Sequence, residues 1–395
     1  MMKNTIPERW TIRKIEDIAT RVEKNNTGED IPVLTISSLS GFLLQEDRFS
    51  KVQAGNSLSK YVKLKRGEFS YNKGNSKTYP YGCIFKLEDH EEALVPNVYI
   101  SFKIHGQNLD YMQYYFHARM LDKQLRRLIS SSARMDGLLN INVDEFFKCK
   151  VLLPPIEEQN KIASVLQEID KHISLLNNQV EELTELKRAL AKKVLTEGIG
   201  HTEFKETEIG QLPLSWKVIS INELSEKIVG GGTPSRDVKE YFEGNIPWAT
   251  VKDMDDSIMK STTTEYITDL AVQNSSARVI DAYNIIVSTR MGLGRGFINT
   301  VNMAINQDLK GIFLKKDIVL TEYFLYYFKF LATKIESMGK GSTVKGIVLD
   351  ELKKIYVAIP DIQEQKQIVQ ILNSVDGMIS SYNDQKSDYT QLKAG

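Results

Sequence analysis

Pro154-Pro155-Ile156-Glu157-Glu158-Gln159-Asn160-Lys161-Ile162 returns 206 residues later as Pro360-Asp361-Ile362-Gln363-Glu364-Gln365-Lys366-Gln367-Ile368. Trp10 returns at the same distance as Trp216. A period this long is not that of a solenoid, whose repeats run about 20–50 residues, so it marks a duplicated domain and implies pseudo-two-fold symmetry. Each copy is a variable block followed by a helix that starts at a proline. Proline forces the residue before it into extended backbone and lacks a helical N–H, so strand-like chain ends there and helix begins. Glu157, Glu158 and Glu364 fall in the first turns, where the positive end of the helix dipole favours acidic groups.

Behind the first proline pair, Ile162, Leu166, Ile169, Ile173, Leu176, Val180 and Leu183 recur at alternating spacings of four and three, which is a heptad seam. The seam then meets Lys187 and resumes at Leu190 and Val194. The second copy repeats it as Ile368, Leu372, Val375, Ile379, Tyr382 and Tyr389, with Lys386 as its odd member. Two such seams are expected to pair as an antiparallel coiled coil; the other reading packs each stripe on its own domain. A first helix from residue 156 to about 197 would be roughly 60 Å long at 1.5 Å per residue, long enough to act as a spacer. The second stops at Leu392-Lys393-Ala394-Gly395, about two to three turns short of its twin.

The expected layout is therefore α/β (α+β): a first variable block over 1–155, a spacer helix over 156–204, a second block over 205–361 and a second spacer helix over 362–395. Within the blocks, hydrophobic periodicity predicts a short helix near Ile12–Val22, strands at Ile31–Ile36, Tyr61–Leu64, Glu68–Tyr71, Cys83–Leu87 and Val98–Ile104, and a helix from Leu109 to Ile129. The second block follows in the same order through Ile221–Ile228, Ile246–Val251, Arg278–Ile280, Ile285–Ser288, Phe297–Asn299, Gly311–Leu314 and Thr321–Ser337. The aromatic runs Tyr111–Phe116 and Tyr323–Phe328 are read as core packing at helical spacing rather than as base-stacking platforms.

Composition narrows the function. Lys+Arg and Asp+Glu both number 51, so net charge is zero, and only residues 1–155, with 23 basic against 18 acidic side chains, are basic. Phosphate binding needs local cation clusters rather than a basic average, so DNA binding stays open while tight binding by the chain alone is disfavoured. Cys83 and Cys149 are isolated, the five histidines have no metal spacing, and no stretch of about 18 apolar residues occurs. No disulfide scaffold, structural metal or membrane insertion is expected, and the cytoplasm is the expected compartment. Pro154-Pro155 lacks the flanking Asn/Asp and aromatic of an adenine methyltransferase turn, and Gly292-Leu293-Gly294-Arg295-Gly296 and Gly339-Lys340-Gly341-Ser342-Thr343 do not match dinucleotide or phosphate loops. Glu351-Leu352-Lys353 has no Pro-Asp strand ahead of it and is read as structural.

Two loops stand out instead. Tyr71-Asn72-Lys73-Gly74-Asn75-Ser76-Lys77-Thr78-Tyr79-Pro80-Tyr81-Gly82 and Ser288-Thr289-Arg290-Met291-Gly292-Leu293-Gly294-Arg295-Gly296 follow strands at matching places and combine amide and hydroxyl groups with cations. The candidate DNA-binding residues are Lys73, Asn75, Lys77 and Tyr79 in the first loop and Arg290 and Arg295 in the second. Thr35 and Ser37, and Lys252 and Asp253, end neighbouring strands. Arg134 and Lys345 precede the last strand of each block, and Thr233, Ser235 and Arg236 belong to the segment quoted next.

The repeated Pro-started Glu-Gln-x-x-Ile helix, the segment Gly231-Gly232-Thr233-Pro234-Ser235 with Tyr241-Phe242-Glu243-Gly244-Asn245-Ile246-Pro247-Trp248, and the duplicated order together resemble the specificity subunits of type I restriction-modification systems. The resemblance covers essentially the whole chain. It implies a non-catalytic subunit that reads a bipartite sequence in double-stranded DNA, one half-site per variable block. Two methyltransferase subunits would supply S-adenosylmethionine and adenine methylation, and a restriction motor-nuclease would use ATP and Mg. A stand-alone DNA-binding or scaffolding protein of the same fold, without methyltransferase partners, is the alternative.

Overall fold

The structure, a computed structural model, describes residues 7–23, 26, 30–48, 55–74, 76–129, 139–340 and 345–394. It divides into two compact units, Met1–Leu175 with Lys386–Gly395, and Leu176–Gln385. Each unit therefore combines one variable block with part of the helix that belongs to the other copy.

In the first unit a four-stranded antiparallel sheet has the order Ala19–Arg21, Ile100–Ile104, Phe69–Asn72, Cys83–Lys86. The second unit repeats that order with Ser225–Gly230, Leu309–Leu314, Ile285–Ser288 and Gly296–Asn299, and adds Met259–Lys260 as a parallel edge. A further four-stranded sheet, Glu265–Ile267, Ile246–Ala249, Met303–Ile305 and Arg278–Ile280, has no four-stranded counterpart among the described residues of the first unit. In both blocks a strand close behind the repeated tryptophan pairs with the last. Thr11–Lys14 lies antiparallel to Lys150–Leu153, and Lys217–Ser220 to Tyr356–Ile359, with the same register 206 residues on.

That pairing overrides the helical spacing of Ile12, Ile15, Ile18 and Val22. The segment is strand Thr11–Lys14, a single helical turn Ile15–Ile18 and strand Ala19–Arg21, because both flanks find partners far along the chain. The expected helix over 109–129 is broken into Leu109–His117 and Asp122–Leu128 at Arg119, whose φ of 59° leaves the helical region. The matching helix divides into Thr321–Phe330 and Ala332–Met338.

The aromatic runs do pack the core. Tyr323, Phe324, Tyr326, Tyr327 and Phe328 are all buried against strands Ile285–Ser288 and Leu309–Leu314 and the last strand, and Tyr111, Met112 and Phe116 sit among Phe69, Phe102 and Phe146. The buried hydroxyls are satisfied alike: Tyr111 Oη donates to Leu152 O (3.1 Å) and Tyr323 Oη to Ala358 O (2.8 Å).

The long helices span Ile156–Thr196 and Ile362–Ala394. The repeated motif fastens each to its own block. Trp10 Nε1 donates to both Glu158 carboxylate oxygens at 3.2 Å, and Trp216 Nε1 to Glu364 Oε2 at 2.9 Å. Gln159 and Gln365 are buried, and each Nε2 turns back to the carbonyl of the proline that opens its motif, Pro154 (2.9 Å) and Pro360 (3.0 Å). Every expected seam residue is buried or half-buried, Lys386 included. Within each unit the helices run antiparallel. Asp170 and His172 meet Lys393 and Tyr389 in the first, and Lys187 meets Asp376 in the second, where Val194 and Leu195 share a core with Ile368 and Leu372. No helix among the described residues is long and apolar enough to cross a membrane.

Candidate nucleic-acid interface

In the second unit the loop after strand Ile285–Ser288 is drawn tight by buried Ser288, whose Oγ lies 2.7 Å from Arg290 O and 2.9 Å from Met291 O. Met291 (φ 56°) and Gly294 (φ 80°) turn the chain through left-handed backbone, and a Cβ on Gly294 would stand 2.4 Å from the Ala332 Cα, so only glycine fits there. Arg290 forms an isolated antiparallel bridge with Gly346, and Met291 N donates to Lys345 O (3.3 Å). Arg295 Nη1 donates to Met254 O (3.1 Å), two residues beyond Lys252. The fold thus gathers Lys252, Arg290, Arg295 and Lys345, all exposed, from three distant stretches of sequence.

The turn Asn306–Asp308 sits beside them. Asp308 N donates to Asn306 Oδ1 (3.1 Å), Asp308 pairs with Arg290 at 3.5 Å, and Thr233 Oγ1 donates to Gln307 Oε1 (2.5 Å). An exposed pair of that length contributes little, so it orients the Arg290 guanidinium without committing it. Asp308 and Gln307 were missed in the sequence because nothing local distinguishes them from other turn residues.

Other candidates are engaged in the scaffold. Arg236 makes a bidentate pair with Glu265 (2.5 and 2.9 Å) and stacks over Phe242 at 4.4 Å. The Glu265 carboxyl is held below its usual range by that hydrogen bond from Arg236. Asp253 is buried and spends both oxygens on four donors: Thr250 N and Oγ1 at 2.8 and 3.1 Å, and Thr264 N and Oγ1 at 2.7 and 2.8 Å. It holds the turn that presents Lys252 rather than facing solvent. Ser235 is exposed and its Oγ accepts from Asp237 N at 3.4 Å.

In the first unit Asn72 joins the two strand ends by donating Nδ2 to Ile36 O (3.2 Å) and accepting from Gly74 N at Oδ1 (2.9 Å). This ties the end of strand Leu34–Ser37 to the start of the loop that carries Lys73, whose backbone O accepts from Leu139 N (2.9 Å). Ser76 and Tyr79 close the loop through Tyr79 N to Ser76 Oγ (3.0 Å), leaving Lys77 exposed at its tip. Tyr79 lies edge-on to Phe85, and burial raises its hydroxyl above the usual range. Thr35 is buried and shares a hydrogen bond with Tyr99 Oη (3.1 Å), so it belongs to the core side of its strand. Asn75 and Arg134 lie outside the described residues.

Residues 7–185 and 213–388 each match the family described as the type I restriction modification DNA specificity domain. The chain belongs to this family and is a specificity subunit of a type I restriction-modification system. It is 27% identical to a Methanocaldococcus jannaschii protein provisionally named the specificity subunit of type I restriction enzyme MjaX, over 98% of this chain and 92% of that one. The MjaIX type I restriction enzyme specificity subunit of the same organism is 34% identical over 46% of this chain and 42% of its own. Among solved structures, the type I restriction-modification S subunit from M. genitalium matches with a TM-score of 0.59 at 14% identity, over all of this chain and 96% of that one, which shows the shared fold.

Proposed function

We propose that the chain reads a two-part DNA target, one half-site per variable block, and holds two adenine methyltransferase subunits that do the chemistry. The observation that carries this reading is the recurrence of one strand order and one cation-bearing loop after the equivalent strand in both blocks. Loop arginines and lysines supply the donors that base edges and phosphates accept, and the long helices set the number of unread base pairs between half-sites. The chain contributes recognition. S-adenosylmethionine belongs to the methyltransferases, and ATP and Mg to a restriction subunit.

With zero net charge, tight binding is expected only in the complex, where the partners close around the duplex. Titrating target and scrambled duplexes against the lone chain and against the reconstituted complex tests this. Arg290→Ala in the complex should cost about 1–3 kcal/mol and relax one half-site, while Lys77→Ala should weaken all sequences and lower the salt slope by about one. Nanomolar, sequence-selective binding or methyl transfer by the lone chain would contradict the division of labour.

A further inference from the structure

Lys187 interrupts the first heptad seam, and Lys393 stands 206 residues later in the second helix. The structure gives both the same surroundings. Lys393 Nζ is 2.5 Å from Asp170 Oδ1, while Tyr114 Oη donates to Asp170 Oδ2 at 2.8 Å and its ring lies beneath the ammonium at 5.3 Å. Lys187 Nζ is 2.5 Å from Asp376 Oδ1, Tyr326 Oη is 2.6 Å from Asp376 Oδ2, and its ring lies 5.7 Å from the ammonium. In each cluster the aspartate and tyrosine come from one copy and the lysine from the other copy's helix. All four charged side chains are partly withdrawn from water, with 27–40% of their surface exposed.

We propose that Lys187 and Lys393 are positioning residues that fix the alignment of the two long helices, and so set the spacer of the target. The second clause rests on the function proposed above. An apolar seam by itself tolerates a slip of one heptad, because every knob finds another apolar hole, and a polar residue inside the seam is the device that forbids it. Sliding the second helix by seven residues would bring Asn383 or Val369 to Lys187, and Asn177 or Ala163 to Lys393. Both aspartates would lose their cations in the same movement.

The test uses the full chain with spin labels at Glu185→Cys and Ser380→Cys, both exposed positions of the second unit, and reads their separation by double electron–electron resonance. The native lysines should give one narrow distance, and Lys187→Arg with Lys393→Arg should keep it. Lys187→Met with Lys393→Met should add a second, resolved distance from helices offset along their axes by a further heptad, about 10 Å at 1.5 Å per residue. An unchanged single distance in that variant overturns the proposal. Lys187→Asp, which places two carboxylates together, should lose the narrow distance or the fold. The exchanged pair Lys187→Asp with Asp376→Lys should regain it, and failure to regain it counts equally against the clamp. No DNA enters this measurement. A slipped variant whose complex still methylated at the native spacing would refute the spacer clause and leave the clamp standing.

Discussion

Gln365→Leu is expected to destabilise the second unit by about 3 kcal/mol, the loss of three buried hydrogen bonds at about 1 kcal/mol each. The side chain is fully buried; Nε2 donates to Pro360 O and Ile318 O, both at 3.0 Å, and Oε1 accepts from Leu320 N at 2.8 Å. Leucine fills nearly the same volume and satisfies none of the three groups, which stay buried. The equivalent Gln159→Leu should cost less. One of its partners is the Gln107 side chain (2.7 Å), which can turn to water, whereas Pro154 O and Asn108 N cannot. Hydrogen exchange followed separately over residues 217–359 and 11–153 reads each effect without assuming one cooperative transition. A loss under about 0.5 kcal/mol for Gln365→Leu would mean that the repeated glutamine does not fasten helix to domain.

Inserting four residues between Leu183 and Leu190 should abolish methylation of the native target or move its halves apart. Four residues add about 6 Å and slightly more than one turn, so every seam residue beyond the insertion both advances and rotates relative to its partners. Lys187 would leave Asp376, and the apolar stripe would no longer face one side. Inserting seven residues between Leu183 and Lys187 together with seven between Ile379 and Lys386 keeps the heptad phase and both lysine–aspartate pairs and adds about 10 Å, close to three base pairs at 3.4 Å each, so a longer spacer with retained activity is expected. Sequencing the DNA methylated by each reconstituted complex gives the spacing directly. Methylation sites unchanged by either insertion would show that the helix does not set the spacing.

The helix starts were legible because proline acts locally: Ile156 and Ile362 open their helices where the motif places them. The seam was legible because a heptad needs no partner to be recognised. The segment over Ile12–Val22 was misread for the opposite reason, since its conformation is decided by strands at residues 100–104 and 150–153. The site divides similarly. Strand-following loops with Arg290 and Lys73 can be seen in the sequence, but Lys252 and Asp253 are indistinguishable there. Thr264, eleven residues on, joins Thr250 in turning Asp253 inward and leaves Lys252 outside. Lys187 was visible as a break in the seam, while its partner Asp376 lies on another helix and carries no local mark. Trp10 and Trp216 were visible as a repeat; that each indole reaches the glutamate of its own copy's motif depends on the fold.

Exchanging the first variable block, residues 7–153, for that of another family member, and sequencing the DNA methylated by the resulting complex, tests the two-part reading most directly. The expected result is a bipartite target in which one half-site is new, the other is unchanged and the spacing is kept. An undivided target, or the alteration of both halves by this single exchange, would contradict it.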